Sequence, residues 1–234
     1  MKKVLLVSGK LRSGKNQLSE YITELLEEKN LTVKQDLLAR GVKDGCKNDF
    51  EKLSKQLNHK SDGIINQITS LKSTVHQLMQ SYGIQNQFPI FDNLIQDVSE
   101  FKIKEENWYE DKTDLSRLIL QAYGTDIFRN RIDKDWWIKE QKKRITESNE
   151  DVIIITDVRF PNEVDDMYSN DYMIIPIRID RESDLDDATA WHESETALDN
   201  YNGFNYFVDN NGSLEDLKES AEKIVNEIIS MQLV

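Results

Sequence analysis

The chain has 234 residues, 38% of them hydrophobic and 31% charged, with nine Gly and three Pro, a make-up that excludes collagen-like and low-complexity classes. At this length one large domain, or one domain carrying an insertion, buries roughly 70–75% of its unfolded surface. A formal net charge of −13, from 30 basic and 43 acidic residues, opposes non-specific attraction to nucleic acid or anionic membranes, so an anionic ligand requires a locally basic pocket.

Lys3 to Ser8 is a short continuous apolar run broken at Gly9, the pattern of a strand buried on both faces. Leu18, Ile22, Leu25 and Leu26 then recur at helical spacing, and Thr32 to Leu38 reads as a second, weaker strand. Strand, glycine loop, helix, strand opens an α/β domain. From 43 to 113 the character turns helical: Ile64, Ile65, Ile68, Leu71, Val75, Leu78, Met79 and Tyr82 trace one helix face, while 83–113 is richer in Gln, Asn and scattered aromatics and ends in a charged run, Lys102 to Lys112, that reads as solvated surface or a mobile loop.

Leu115 to Tyr123 resumes helical periodicity, and one further helix is expected from Ile127 to Ile145 through Trp136 and Trp137. Val152 to Ile155 and Met173 to Ile179 are further apolar runs, although Pro176 argues against a central place for the second. Asn205 to Asp209 is a short fifth strand candidate. Ser213 is a candidate N-cap for a last helix with Leu214, Leu217, Ala221, Ile224, Val225 and Ile228 in one stripe. There are no internal repeats and no linker composition. Residues 1–42 and 114–234 read as one core carrying the 43–113 insertion.

No segment approaches the ~20 apolar residues of a membrane span, and the opening is too short for a signal-peptide core, which points to the cytoplasm. Cys46 stands alone and His59, His76 and His192 are dispersed, so neither an internal disulfide nor a Cys/His zinc site is expected.

The strongest chemical signal is Gly9-Lys-Leu-Arg-Ser-Gly-Lys15-Asn16, a G-x-x-x-x-G-K pattern between the first strand and a helix. In such a loop successive backbone N–H groups and the helix N-terminus face an anion, favouring a triphosphate whose β and γ phosphates Lys15 reaches. Asn16 stands where Ser or Thr ordinarily helps hold Mg²⁺; its amide oxygen is a weaker substitute, and water with a distant carboxylate is the other route. Arg12 adds a second cation, or is an exposed loop arginine. Val152-Ile-Ile-Ile-Thr-Asp157 puts a carboxylate at a strand's carboxyl end, where Asp157 organises metal through water or holds substrate and Arg159 reaches its phosphate. A capping Asp beside a surface Arg is the competing reading.

A phosphate acceptor needs no strong base, so the lack of a Ser-His-Asp or Cys-His arrangement is no obstacle to phosphoryl transfer. Lys43, Arg117, Arg129, Arg131, Arg178 and Arg181 are candidates to balance the phosphates of two nucleotides.

The blocks Ser8-Gly-Lys-Leu-Arg-Ser-Gly-Lys15, Gly41-Val-Lys-Asp44, Arg117-Leu-Ile-Leu-Gln-Ala-Tyr-Gly-Thr-Asp126 with Trp137, Thr156-Asp-Val-Arg-Phe-Pro-Asn-Glu163 and Asp209-Asn-Asn-Gly-Ser-Leu-Glu-Asp216 resemble bacteriophage deoxynucleoside monophosphate kinases of the P-loop nucleoside monophosphate kinase superfamily. The resemblance spans nearly the whole chain apart from about 45–112. It implies an α/β fold with a parallel five-stranded sheet flanked by helices, a helical monophosphate-binding region, and a lid at about 181–202.

The implied reaction is ATP- and Mg²⁺-dependent phosphorylation of deoxynucleoside 5′-monophosphates in the host cytoplasm, with a homodimer as the implied assembly. By matching position, Gly9, Arg12, Ser13, Gly14, Lys15 and Asn16 would hold ATP phosphates, and Asn210 to Gly212 would lie near adenine. Lys43, Arg117, Gln121, Gly124, Thr125, Trp137, Asp157, Arg159 and Glu163 would line the deoxynucleotide site, with Asn16 and Asp157 toward metal. His192 and Glu195 align with the lid.

Simpler readings stand beside these: Trp137 as core, Gly124 as a helix C-cap, Glu163 as a solvated carboxylate, Gln121 facing solvent, and Asn210 to Gly212 as a plain turn before a capped helix. The family more often has Asp at position 16 and Thr at 17, where this chain has Asn16 and Gln17. Animal-type phosphomevalonate kinase is the alternative enzyme, on Ser13-Gly-Lys15, Asp157-Val-Arg159 and Glu195-Thr-Ala-Leu-Asp199. A nucleotide-binding protein without turnover is the alternative outside catalysis.

Overall fold

The computed structural model describes residues 1–10, 12–57, 73, 76–77, 80, 120, 122–182 and 196–231. Most of the helix expected over Ile64 to Tyr82, the 83–113 stretch, Arg117, Gln121, His192 and Glu195 lie outside the described residues. The chain divides into two compact units, Met1–Leu38 with Ile138–Val234, and Ala39–Trp137.

The first unit is built on five parallel strands: β1 Lys2–Ser8, β2 Val33–Asp36, β3 Val152–Val158, β4 Tyr172–Asp180 and β5 Tyr206–Asp209, in the order β2-β3-β1-β4-β5. β1 lies in the middle, and Val4 through Val7 are all fully buried because helices cover both faces of the sheet. The side-chain alternation of a strand divides its residues between two cores. Leu5 and Val7 join a cluster with Leu18, Ile22 and Leu26 of α1 (Lys15–Glu28) and Leu217, Ala221 and Ile224 of the last helix, α5 (Leu214–Ser230). Val4 and Leu6 join Ile138 and Ile145 of α3 (Trp136–Glu147) and Val164 of α4 (Pro161–Asp165).

Pro176 does occupy an interior strand, β4, opposite Leu6 of β1. Its carbonyl accepts from Asn205 N (2.8 Å), and a strand residue's N–H and C=O point the same way, so its missing donor faces the β5 side. There pairing begins only at Ile177–Tyr206, and no ladder bond is lost.

The second strand ends at Asp36 rather than Leu38, because Leu38 N donates to Asp157 Oδ1 (2.6 Å) as the first residue of α2, Leu38–Leu57. Gly41 to Asp44 therefore lie on a helix. The single helix expected from Ile127 to Ile145 is two: a π-helical stretch, Ala122–Ile132, closes with Asp133 N on Phe128 O (2.8 Å), and α3 starts anew at Trp136. Asp133 bridges the break, its carbonyl accepting from Trp136 N and its carboxylate from Asp135 N. In α5, Ser213 caps as expected, accepting from Asp216 N (3.2 Å), but Leu214 is 65% exposed and does not belong to the buried stripe.

Candidate active site

The loop between β1 and α1 is shaped by two close approaches. A Cβ on Gly9 would lie 2.4 Å from the carbonyl oxygen of Ile179 on β4. Gly14 has φ +99°, and a Cβ there would lie 2.3 Å from Asn210 Nδ2, so both glycines are steric requirements. Arg12 is also left-handed, at φ 61°, with an exposed side chain. A non-glycine residue in that region costs energy and marks a loop whose shape is imposed by its surroundings.

This loop delivers the N-terminus of α1 without a side-chain cap and without an acidic residue in its first turn. The orphan N–H groups of such a turn, with the helix dipole behind them, favour an anion. Lys15 Nζ rests on the loop's own carbonyls, Gly9 O (2.7 Å) and Lys10 O (2.8 Å). Ser13 is 2% exposed and its Oγ has no hydrogen-bond partner among the described residues. A buried hydroxyl left so is costly unless a ligand completes it. Asn16 is exposed on the first turn of α1.

Asn210, 6% exposed, is spent on the loop itself: its Nδ2 donates to Ser13 O (2.8 Å) and its N–H to Asp180 O (2.8 Å). Gly212 lies in the exposed turn before α5, where a Cβ would meet Asp216 Oδ2 at 2.5 Å. Beside the loop is a cavity of about 360 Å³, lined among others by Arg178, Arg181, Tyr201, Phe204, Phe207 and Asn211. Tyr201, Phe204 and Phe207 meet edge to face. Burial first, then the hydrogen bond to Asp165, holds the Tyr201 hydroxyl well above the ordinary tyrosine range.

Asp157 is the penultimate residue of β3, at the carboxyl end of the strand that pairs with β1 up to Ser8. One of its oxygens caps α2 at Leu38 N, which realises the capping reading of this residue. Arg159 is exposed, and its N–H and that of Phe160 are both taken by Glu163 Oε2, at 2.7 and 3.0 Å. A buried carboxylate at the end of β2 serves the scaffold: Asp36 accepts from Leu37 N, Gln141 Nε2 and Arg144 Nε. Among the described residues no three His, Cys, Asp or Glu side chains gather as a metal cage.

In the second unit, Gly124 is buried, and a Cβ there would lie 2.7 Å from Val42 Cγ1. Its carbonyl accepts from Trp137 Nε1 (2.8 Å), and the Trp137 ring packs with Tyr123 and Phe128 at centroid distances of 6.0 and 4.9 Å. Gly124 and Trp137 thus build a packed aromatic corner. Thr125 and, on α2, Lys43 are half-buried, and Cys46 is a buried thiol. Arg117 and Gln121 are outside the described residues.

Of the other arginines, Arg178 is not a spare cation. It is 5% exposed and binds Asp180 Oδ1 through Nε (2.9 Å), Ser8 Oγ through Nη1 (3.2 Å) and Asp199 Oδ1 through Nη2 (3.0 Å). Sequence reasoning did not connect Lys10 with Asp199, whose Nζ and Oδ2 pair at 2.9 Å. Lys10 fills a variable position of the loop pattern, and no local periodicity links Asp199 to it.

The family model for deoxynucleotide monophosphate kinase matches residues 63–221. No curated protein matches the chain. The match favours a nucleotide acceptor over phosphomevalonate. Among the described residues no helix is long and apolar enough to cross a membrane.

Proposed function

The chain belongs to the deoxynucleotide monophosphate kinase family, a kinase that phosphorylates deoxynucleoside monophosphates, and we propose that its phosphate donor is ATP, used with Mg²⁺ and bound at the loop from Gly9 to Asn16. The observation that carries the donor site is Ser13 Oγ, a buried hydroxyl without a partner among the described residues, beside the uncapped N-terminus of α1. A phosphate oxygen satisfies that hydroxyl and the orphan N–H groups together. The neighbouring cavity of about 360 Å³, with its aromatic wall and Arg181, takes the donor's nucleoside.

In this reading an oxygen of the acceptor's phosphate attacks the γ-phosphorus of ATP, the bond to the β–γ bridging oxygen breaks, and ADP leaves. The acceptor oxygen is already anionic, so no general base is required. The first turn of α1 holds the donor phosphates in place, Lys15 leaves Gly9 O and Lys10 O for a phosphate oxygen, and Arg12 adds charge stabilisation from its strained position. In this reading the Asn16 amide and the Asp157 carboxylate would be this chain's donors to a magnesium ion otherwise carried by phosphates and water. When bound, the ion neutralises charge on the transferring group.

For the acceptor, the resemblance assigns Lys43, Arg117, Gln121, Gly124, Thr125 and Trp137, together with Asp157, Arg159 and Glu163. Gly124 and Trp137 act in this reading by fixing the shape of their unit around Lys43 and Thr125. The resemblance to phage enzymes extends the reading to supply of DNA precursors.

The test is ADP formation from ATP and Mg²⁺ across a panel of deoxy- and ribonucleoside monophosphates plus phosphomevalonate, with Lys15→Ala as control. Turnover that requires a deoxynucleotide and vanishes in the control is the expected result. ATP bound without transfer to any acceptor contradicts the reading.

A further inference from the structure

A chain of alternating charges runs from the sheet to the phosphate loop. Arg178, buried at the end of β4, is fixed by Ser8 Oγ on the last residue of β1 and by two carboxylates, Asp180 and Asp199. Asp199 splits its oxygens: Oδ1 faces Arg178 Nη2 at 3.0 Å and Oδ2 faces Lys10 Nζ at 2.9 Å. Lys10 in turn carries the carbonyl on which the loop closes, accepting from Ser13 N (3.2 Å) and Lys15 Nζ (2.8 Å).

We propose that Asp199 is a positioning residue for phosphoryl transfer: it anchors Lys10 to the rigid end of the sheet and so fixes the loop against which Lys15 and Ser13 are set. The inference rests on the loop being the donor site. Asp199 touches neither donor nor acceptor in this account; it acts through Lys10.

Two physical arguments separate this role from plain charge balance or stability. The Lys10–Asp199 pair is 47% and 31% exposed, and pairs so open to solvent contribute little to folding. A carboxylate beside a phosphate site repels the donor, so a merely neutralising Asp199 would, when removed, leave Lys10 and Arg178 more attractive to phosphate and tighten donor binding. Positioning predicts the opposite outcome for the chemistry, because small misplacement of reacting groups is expensive.

The experiment compares the full chain with Asp199→Asn, Lys10→Met and the double variant, measuring kcat, KM for each nucleotide and Tm. The expected result is a fall in kcat of about tenfold or more in Asp199→Asn, with acceptor KM within about twofold and Tm within a few degrees. Lys10→Met shows a similar fall and the double variant is no worse than either single, since both remove one link.

Wild-type kcat in Asp199→Asn, tighter donor binding with unchanged kcat, or losses that multiply in the double variant overturns the proposal. Should Asp199→Asn fail to fold, Lys10→Met decides alone, and wild-type kcat there is equally fatal. An inactive wild type defeats the donor reading itself, whereas an active wild type with equally active variants defeats only the role of Asp199.

Discussion

The phosphate loop and the aromatic corner around Trp137 are both built on glycines, yet their glycines do different work. In the loop, Gly9 and Gly14 let backbone approach backbone and side-chain amide, and they leave Ser13 Oγ and the first turn of α1 needing a ligand. In the corner, Gly124 lets Val42 approach and offers its carbonyl to Trp137, whose ring packs on Tyr123 and Phe128. In the proposed reading an anion completes the loop, whereas the contacts described at the corner serve packing. A motif's specificity to a family therefore does not say whether its residues touch substrate or hold the shape of the part that does.

Substitutions that break this comparison should differ in kind as well as in size. Lys15→Ala in the loop is expected to lower kcat by at least about 10²-fold, with Tm unchanged within a few degrees, because the carbonyls it meets, Gly9 O and Lys10 O, belong to the loop itself. Gly14→Ala should abolish donor binding, measured by calorimetry, and cost about 1–3 kcal/mol, since φ +99° and Asn210 at 2.3 Å both oppose a Cβ.

In the corner, Gly124→Ala should cost about 1–3 kcal/mol in denaturant unfolding by overpacking against Val42. Adding Val42→Ala should recover part of that loss, and donor affinity should stay at the wild-type value in both. Trp137→Phe loses both the bond to Gly124 O and the outer part of the indole's packing, for a loss of about 2–3 kcal/mol.

The smallest effects lie far from either region. Hydrogen bonds from Thr32 N–H and Oγ1 hold Asp151 below the usual carboxylate range, and those from Ser213 do the same for Asp216. A depressed folded pKa means stability that is fully present above the unfolded value and is lost as pH falls through the lower folded one. Thr32→Val should therefore lower Tm slightly in the neutral region, where that stabilisation is present, and flatten the acid limb, so that variant and wild type converge at low pH. Ser213→Ala, which removes the α5 cap, should cost about 1 kcal/mol at neutral pH.

The sheet was legible because each buried strand, Lys2–Ser8 and Val152–Val158 above all, carries a continuous apolar run, and the loop was legible because its determinants fall within eight residues. What local pattern could not reveal depends on partners far along the chain. Pro176 is tolerated because β5 pairs only from Ile177 onward, a property of its neighbour rather than of its own strand. The start of α2 is fixed by Asp157, 119 residues away, and Asp199 meets Arg178 across 21 residues. Leu214 fits the apolar stripe by period but lies at the first residue of its helix, beyond the edge of the sheet's core.

The most direct measurement is phosphorus NMR of ATP, Mg²⁺ and a deoxynucleoside monophosphate mixed with the full chain. Growth of deoxynucleoside diphosphate resonances in step with ADP, absent with Lys15→Ala, is the result this account predicts. Inorganic phosphate and ADP without a labelled acceptor, or transfer that survives in Lys15→Ala, would contradict it.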